Sequence, residues 1–506
     1  MSYDIQKLSK STLLLKNSII NLTGQIIPII VALMSIPFII KGLGVKKFGI
    51  LSLCWAIISS INILDISLNK ATNKFLSEEL CQNNLEKVNN IIWSAIVLYT
   101  IFSISIIILI TPVIYKYIDI FLKIPASLSN SAKYIFTIIL WALPIILCSG
   151  VFRSILECYQ RFDLINIIRV ISNLSIFIIP IIGIFLKIKL KFIILDIIVF
   201  KLIVLLLYVV SSLLIYTQLR YISISFTLIK KLISYNIWLS ITSLTGPIIN
   251  YIDRFFIGSI LSITDVTYYS APYDGISRLG IISTSFSSTL FPIISAFNSQ
   301  NQLDKILIFI FRILKYIVII EIPIILIVII KANVILQIWL NHKFVIYSKT
   351  TLQILSIGIF INSLAIIPFI FFQGSGRPDI PAKFHIIELP CYIVTVYILV
   401  KYFGITGAAI SFLIRIIIDT IFLFISLFNL YDIDIYLLYT TGIYNLLLFI
   451  ILFLLLSLII LKINSNFFYL FILLSFYYLI IWKFILDHED KKILFNLFNF
   501  IKKQHN

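Results

Sequence analysis

Apolar runs long enough to cross a lipid bilayer recur from one end of this chain to the other, and they constrain almost everything else about it. A helix needs about 20 apolar residues to span the hydrocarbon layer. Segments of that kind are expected near residues 17–40, 48–69, 90–115, 134–152, 164–186, 192–216, 234–258, 274–297, 306–330, 350–372, 384–402, 405–428, 436–461 and 467–486. Stretches such as Ile104–Ile110 are apolar on every side, whereas a barrel strand alternates. Lipid offers a backbone no hydrogen-bond partner, so each segment is predicted to be an α-helix. The first segment is too long for a cleaved signal peptide and lacks a small-residue cleavage site.

Composition excludes the soluble alternatives. Hydrophobic residues make up 60% of the 506 and charged ones 12%, against roughly 25% charged in a soluble domain. The net charge of +18 would point to nucleic acid in a soluble chain. Here Lys and Arg are scattered singly between apolar runs, as in loops at a lipid surface. No nucleic-acid partner is expected. The connections are short, which leaves no room for a soluble catalytic domain, so the protein is expected not to be an enzyme. The expected inner segments hold more Lys and Arg than the outer ones, and the outer loops contain no Arg; both termini are therefore predicted to be cytoplasmic. Five cysteines without a C-x-x-C pair and four scattered histidines suggest neither a disulfide framework nor a metal site.

The two halves repeat. Leu22-Thr23-Gly24 recurs as Leu244-Thr245-Gly246, and Leu43 to Gly49 is loosely matched by Leu261 to Thr267. Gln160-Arg161-Phe162-Asp163 is echoed by Gly376-Arg377-Pro378-Asp379. The order is the same and the offset nearly constant, with six spans in each. An even number of spans gives both repeats the same orientation, with a cavity between two bundles, which is a transporter architecture. The expected organisation is a six-helix bundle over 1–216, a second over 217–430, and two additional helices with a basic cytoplasmic tail over 431–506.

Ionisable groups inside spans cost a few kcal/mol to insert, so each is a functional candidate. They are Asp65, Arg169, Asp196, Lys201, Asp253, Arg254, Asp274, Arg278, Arg312, Glu321, Glu388, Arg415 and Asp419. Asp274 with Arg278, and Arg415 with Asp419, are spaced to neutralise each other on one helix face. Asp253 and Arg254 are adjacent and point apart; each needs a partner on another helix, in water or on a substrate. A guanidinium facing a cavity suits a phosphate because its planar fork donates two parallel hydrogen bonds; the alternative for Arg254 is packing or snorkelling. Pro28 and Pro247 follow the repeated Leu-Thr-Gly in the first helix of each half and remove a backbone donor there. That placement fits a helix that bends, although Pro is also common in membrane helices.

Several segments resemble the Wzx-type polysaccharide flippases of the multidrug/oligosaccharidyl-lipid/polysaccharide (MATE-like) exporter superfamily. They are Pro37 followed by Lys41-Gly42-Leu43-Gly44 and Phe48-Gly49, then Leu64-Asp65-Ile66-Ser67-Leu68, where Ser67 replaces the usual Gly. Further matches are Ile252 to Gly258 with Tyr268-Tyr269-Ser270-Ala271, Gln373 to Arg377, and Gly404 to Ala409. The resemblance covers residues 17–428. It implies an all-α integral membrane protein of the bacterial inner membrane, with two pseudo-symmetric six-helix bundles. It also implies that the protein moves an undecaprenyl-pyrophosphate-linked oligosaccharide, an O-antigen or capsule repeat unit, by alternating access, alongside other polysaccharide-assembly membrane proteins. On that reading Arg254, Arg278, Asp253 and Asp65 are candidates for substrate contact. A proton or sodium gradient would act through Asp65, Asp253 or Glu321, and no other cofactor is expected. A MATE-like exporter of small organic cations and a membrane polysaccharide polymerase are the alternatives. The polymerase usually carries a large outer loop, and the longest here, Lys331–Lys349, is short.

Overall fold

A computed structural model describes residues 11–82, 84–217, 223–298, 303–430, 467–486 and 490–491, and among them no strand occurs. The long helices are α1 (Ser11–Leu43), α2 (Val45–Cys81), α3 (Leu85–Phe121), α4 (Ala126–Leu140), α5 (Ala142–Cys158), α6 (Phe162–Phe185), α7 (Leu190–Ile215) and α8 (Phe226–Ile260). They continue with α9 (Ile263–Ile276), a 3-10 turn (Ser277–Gly280), α10 (Ile281–Asn298), α11 (Leu303–Ile330), α12 (Ala332–Trp339), α13 (His342–Gly374), α14 (Asp379–Leu430) and α15 (Phe467–Ile480), the last prolonged by a π-helical turn (Ile481–Ile485). Every expected span except 436–461 falls on these helices. That one and the basic tail lie outside the described residues.

The helix boundaries carry physical information. α4 and α5 divide the expected 134–152 segment at Trp141. α14 spans 52 residues and changes direction at Gly404, whose φ of 61° lies in the left-handed region that glycine enters without a side-chain clash. The segments expected at 384–402 and 405–428 are its two arms. Asparagines cap two helix starts: the Asn84 side chain accepts from Lys87 N–H, and Asn341 accepts from the N–H groups of Lys343 and Phe344. α2 and α5 run well past the expected ends at 69 and 152, to Cys81 and Cys158. The added turns are polar yet partly buried.

The chain divides into two compact units, Met1–Gly275 with His385–Ser411, and Ile276–Phe384 with Phe412–Asn506. In the first, α2 packs on α5, α5 on α7, and α1 on α6. One face of α3 presents Ile101, Phe102, Ile104, Ile108, Leu109 and Ile110 outward, an apolar strip of the size that calls for lipid. In the second unit, α10, α11, α13 and the last turns of α14 enclose an apolar core around Ile310, Phe311, Ile317, Phe371, Phe372, Leu423 and Leu427. α15 closes a smaller cluster against Val318, Ile322 and Leu326 of α11. Beyond it, Asp490 is fully buried and accepts from Lys315 Nζ at 2.5 Å and from the Tyr316 hydroxyl at 2.6 Å, with Arg312 Nε at 3.4 Å.

The repeat is visible in two turns. Gln160, between α5 and α6, has φ 57°, and Gly376, between α13 and α14, has φ 79°. Arg161 N–H reaches Leu156 O at 2.9 Å, and Arg377 N–H reaches Phe372 O at 2.8 Å. Each arginine then forks onto the aspartate two residues on: Arg161 onto Asp163 at 3.0 and 2.9 Å, Arg377 onto Asp379 at 3.1 and 3.5 Å. Matched tetrapeptides thus make the same helix stop and restart.

Candidate functional site

Four helices of the first unit each turn a polar stripe toward one space. α2 supplies Asn62, Asp65, Asn69, Lys70 and Asn73; α5 supplies Ser149, Arg153 and Glu157; α6 supplies Arg169, Ser172 and Asn173; α7 supplies Lys201 and Tyr208. The spacings of three, four and seven place each set on one helix face. They line a cavity of about 520 Å³.

Arg153 organises one wall. Its Nη2 lies 3.0 Å from Asp65 Oδ2 and its Nε 3.3 Å from Glu157 Oε1. Asn69 Nδ2 donates to Asp65 Oδ1 at 2.6 Å, and Asn73 Nδ2 donates to Glu157 Oε2 at 2.8 Å. Two carboxylates thus share one guanidinium, and two amides occupy further lone pairs, which is what buried charge requires. Gly150 makes this possible: a Cβ there would stand 1.9 Å from Asp65 Oδ1 and 2.0 Å from Asn69 Nδ2. Any side chain at 150 would displace the acid.

Further cations line the same cavity. Lys201 is 4% exposed and donates to Ser172 Oγ at 2.7 Å, a neutral acceptor. Arg169 and Lys70 are exposed and form no ion pair among the described residues. Four cations therefore face two carboxylates, and both carboxylates already engage Arg153. The excess charge sits where a phosphate could accept from a guanidinium, an ammonium and a hydroxyl together.

The residues named from sequence divide between places. Asp65, Arg169 and Lys201 come together in this cavity. Asp253 and Arg254 find partners on the next helix, α9: Asp253 accepts from the Tyr269 hydroxyl and from Arg254 N–H, and Arg254 Nη2 lies 2.6 Å from Asp274 Oδ1. Arg254 is 2% exposed, with the rings of Tyr251 and Tyr273 at 5.4 and 5.2 Å. Asp274 therefore meets Arg254. α9 ends at Ile276, and Arg278 falls in the 3-10 turn that follows it. Asp196 is exposed on α7. Arg312 belongs to the Asp490 cage and Glu321 to the interior of the second unit. Sequence reading missed Arg153 and Glu157 because it ended the span before them. The signal was there: Ser149, Arg153 and Glu157 continue the helix in steps of four.

The model of the family described as polysaccharide biosynthesis protein matches residues 14–298, more than half of the chain. The chain belongs to that family. The MatE family model matches residues 239–398. A Shigella flexneri protein described as "Putative O-antigen transporter" is 28% identical over 417 residues, which cover 81% of this chain and 96% of that one. Among solved structures, the lipid II flippase MurJ in an inward closed conformation matches with a TM-score of 0.72 at 16% identity, covering 92% of this chain and 97% of that chain. An inward-facing multidrug resistance MATE family transporter matches with a TM-score of 0.66 at 17% identity, covering 80% and 96%. Family members and these neighbours share the all-helical, multi-pass membrane fold.

Proposed function

We propose that the protein is a flippase that carries an undecaprenyl-pyrophosphate-linked oligosaccharide, an O-antigen or capsule repeat unit, across the bacterial inner membrane by alternating access. The observation that carries the reading is the surplus of cations in the cavity of the first unit. A diphosphate brings negative charge into a space where Arg169, Lys201 and Lys70 have no carboxylate of their own. Inside a bundle such groups interact far more strongly than in water. In this reading Arg169 and Lys201 touch the diphosphate, and Ser172 adds a hydroxyl. Asp65 and Glu157 hold Arg153 in place. Asp253 and Arg254 fix α8 to α9, and Pro28 and Pro247 are where α1 and α8 bend. The family membership and the relative described as an O-antigen transporter support the substrate class and transport.

The match to the MatE model favours a second reading, export of small organic cations. The cavity's charge opposes it, since a cation entering would meet like charge. Expression in a strain lacking its own O-antigen flippase separates the two. Restored surface polysaccharide, lost with R169A/K201M at normal protein levels, is expected. Resistance to cationic drugs without restored polysaccharide would overturn the proposal.

A further inference from the structure

Glu321 is an acid of a different kind from those in the cavity. It lies within α11 and is 0% exposed. Among the described residues neither carboxylate oxygen has a hydrogen-bond partner, and nor has the hydroxyl of Ser363, beside it on α13. Among the described residues no cation bonds to it. α10 and α12 contain no ionisable residue. α13 carries His342, Lys343, Tyr347 and Lys349, all in its first turns; at 1.5 Å per residue, Lys349 is about 20 Å along the axis from Ser363. α15 contributes tyrosines, with the Tyr477 hydroxyl 3.5 Å from the Val318 carbonyl, and its π-helical turn carries Lys483, which does not bond to Glu321. On α11 itself, Arg312, Lys315 and Tyr316 are committed to Asp490. Lys331 stands beyond the end of α11. Neither Arg415 nor Asp419 of α14 bonds to Glu321.

An uncompensated charge is costly in such surroundings, and a neutral acid is not. A metal cation would need a shell of several oxygens, and one hydroxyl is at hand. A proton needs only the carboxylate. The other acids considered for coupling are already provided with donors: Asp65 has Arg153 and Asn69, and Asp253 has Tyr269 and the Arg254 amide.

We propose that Glu321 is a proton-binding site of the second unit. Its carboxylate takes a proton from the aqueous phase to become the neutral acid in the closed packing seen here, and returns it when the packing opens to water. The purpose of that cycle, linking a packing change to a proton gradient, rests on the transporter reading. The binding of the proton does not.

Infrared difference spectra of the full-length protein in lipid nanodiscs, recorded between acid and alkaline buffer, test the site directly. The expected result is a protonated-carboxyl band that disappears in E321Q and shifts in E321D, with the thermal melt of E321Q unchanged. A band of equal intensity in E321Q overturns the proposal, and so does a wild type without such a band. If E321Q fails to fold, the shift in E321D decides. In liposomes carrying lipid-linked oligosaccharide, E321Q is expected to lose stimulation by an imposed pH gradient while keeping gradient-free exchange; stimulation equal to wild type would overturn the coupling role. A titrating band in a protein that moves no substrate would leave the proton site standing and remove the flippase reading.

Discussion

α5 and α13 lead into the same kind of turn and differ in what they carry toward it. The turns at Gln160 and Gly376 share a left-handed residue, the same backbone hydrogen bond and the same arginine–aspartate fork. One and two turns of helix earlier the likeness ends. α5 places Arg153 and Glu157 in the cavity. At the same distance before the second turn α13 has Phe369 and Gln373, and Phe369 packs against the apolar core. The two turns thus share their helix stop, while the faces that lead into them differ. In the first unit charge is gathered and mutually paired around a cavity. In the second, Asp490 is buried among cations and Glu321 within the packing of α11. Where charge is paired beside open space, a ligand can compete for it. Where charge is sealed in, only a change of packing can reach it.

Removing Arg153 should have the largest effect, because it takes from Asp65 and Glu157 the guanidinium they share. Breaking a buried pair by deleting one partner costs about 3–5 kcal/mol. R153A should melt far below wild type in detergent, and R153M/D65N should recover much of the loss. If the double variant is no better than R153A, the two side chains are not coupled and the paired-wall description fails.

An intermediate effect is expected from Gly150. A methyl group there collides with Asp65 and Asn69, and overpacking costs about 1–3 kcal/mol. G150A should lower the melt and transport together. G246A, on α8 where a Cβ meets nothing within 4 Å, should be neutral or slightly stabilising. Equal behaviour of the two would remove the argument that close helix approach shapes the cavity.

The smallest effect should come from the two turns. Arg161 and Arg377 are half exposed at their forks, and surface pairs of that kind contribute little. R161A and R377A should each leave the melt unchanged and match one another. A large effect of one alone would show that the turns are less alike than their hydrogen bonds.

Much of the fold was legible because lipid permits so little else: long apolar runs must be helices, and those within the described residues are. Asp253 and Arg254 were legible too, since adjacent charges on a helix must find separate partners, and Asp274 and Tyr269 are those partners. The candidate site was half legible. Asp65, Arg169 and Lys201 stood out as ions within apolar runs. Arg153 and Glu157 did not, because polarity at the end of a span reads as a loop, whereas here α5 continues and buries its polar face against α2. Spacing alone also could not reveal that Asp274 meets Arg254 of the preceding helix. Glu321 could be noticed in the sequence but not distinguished, since its lack of donors is a property of four neighbouring helices.

The central claim is that the unpaired cations of the first unit receive a diphosphate. Flipping of a fluorescent lipid-linked oligosaccharide by the purified protein in liposomes measures it most directly, with wild type compared with R169A/K201M. Wild type should move the lipid diphosphate between leaflets, and the variant, equally folded, should lose most of that rate. A variant that flips as fast as wild type would contradict the claim.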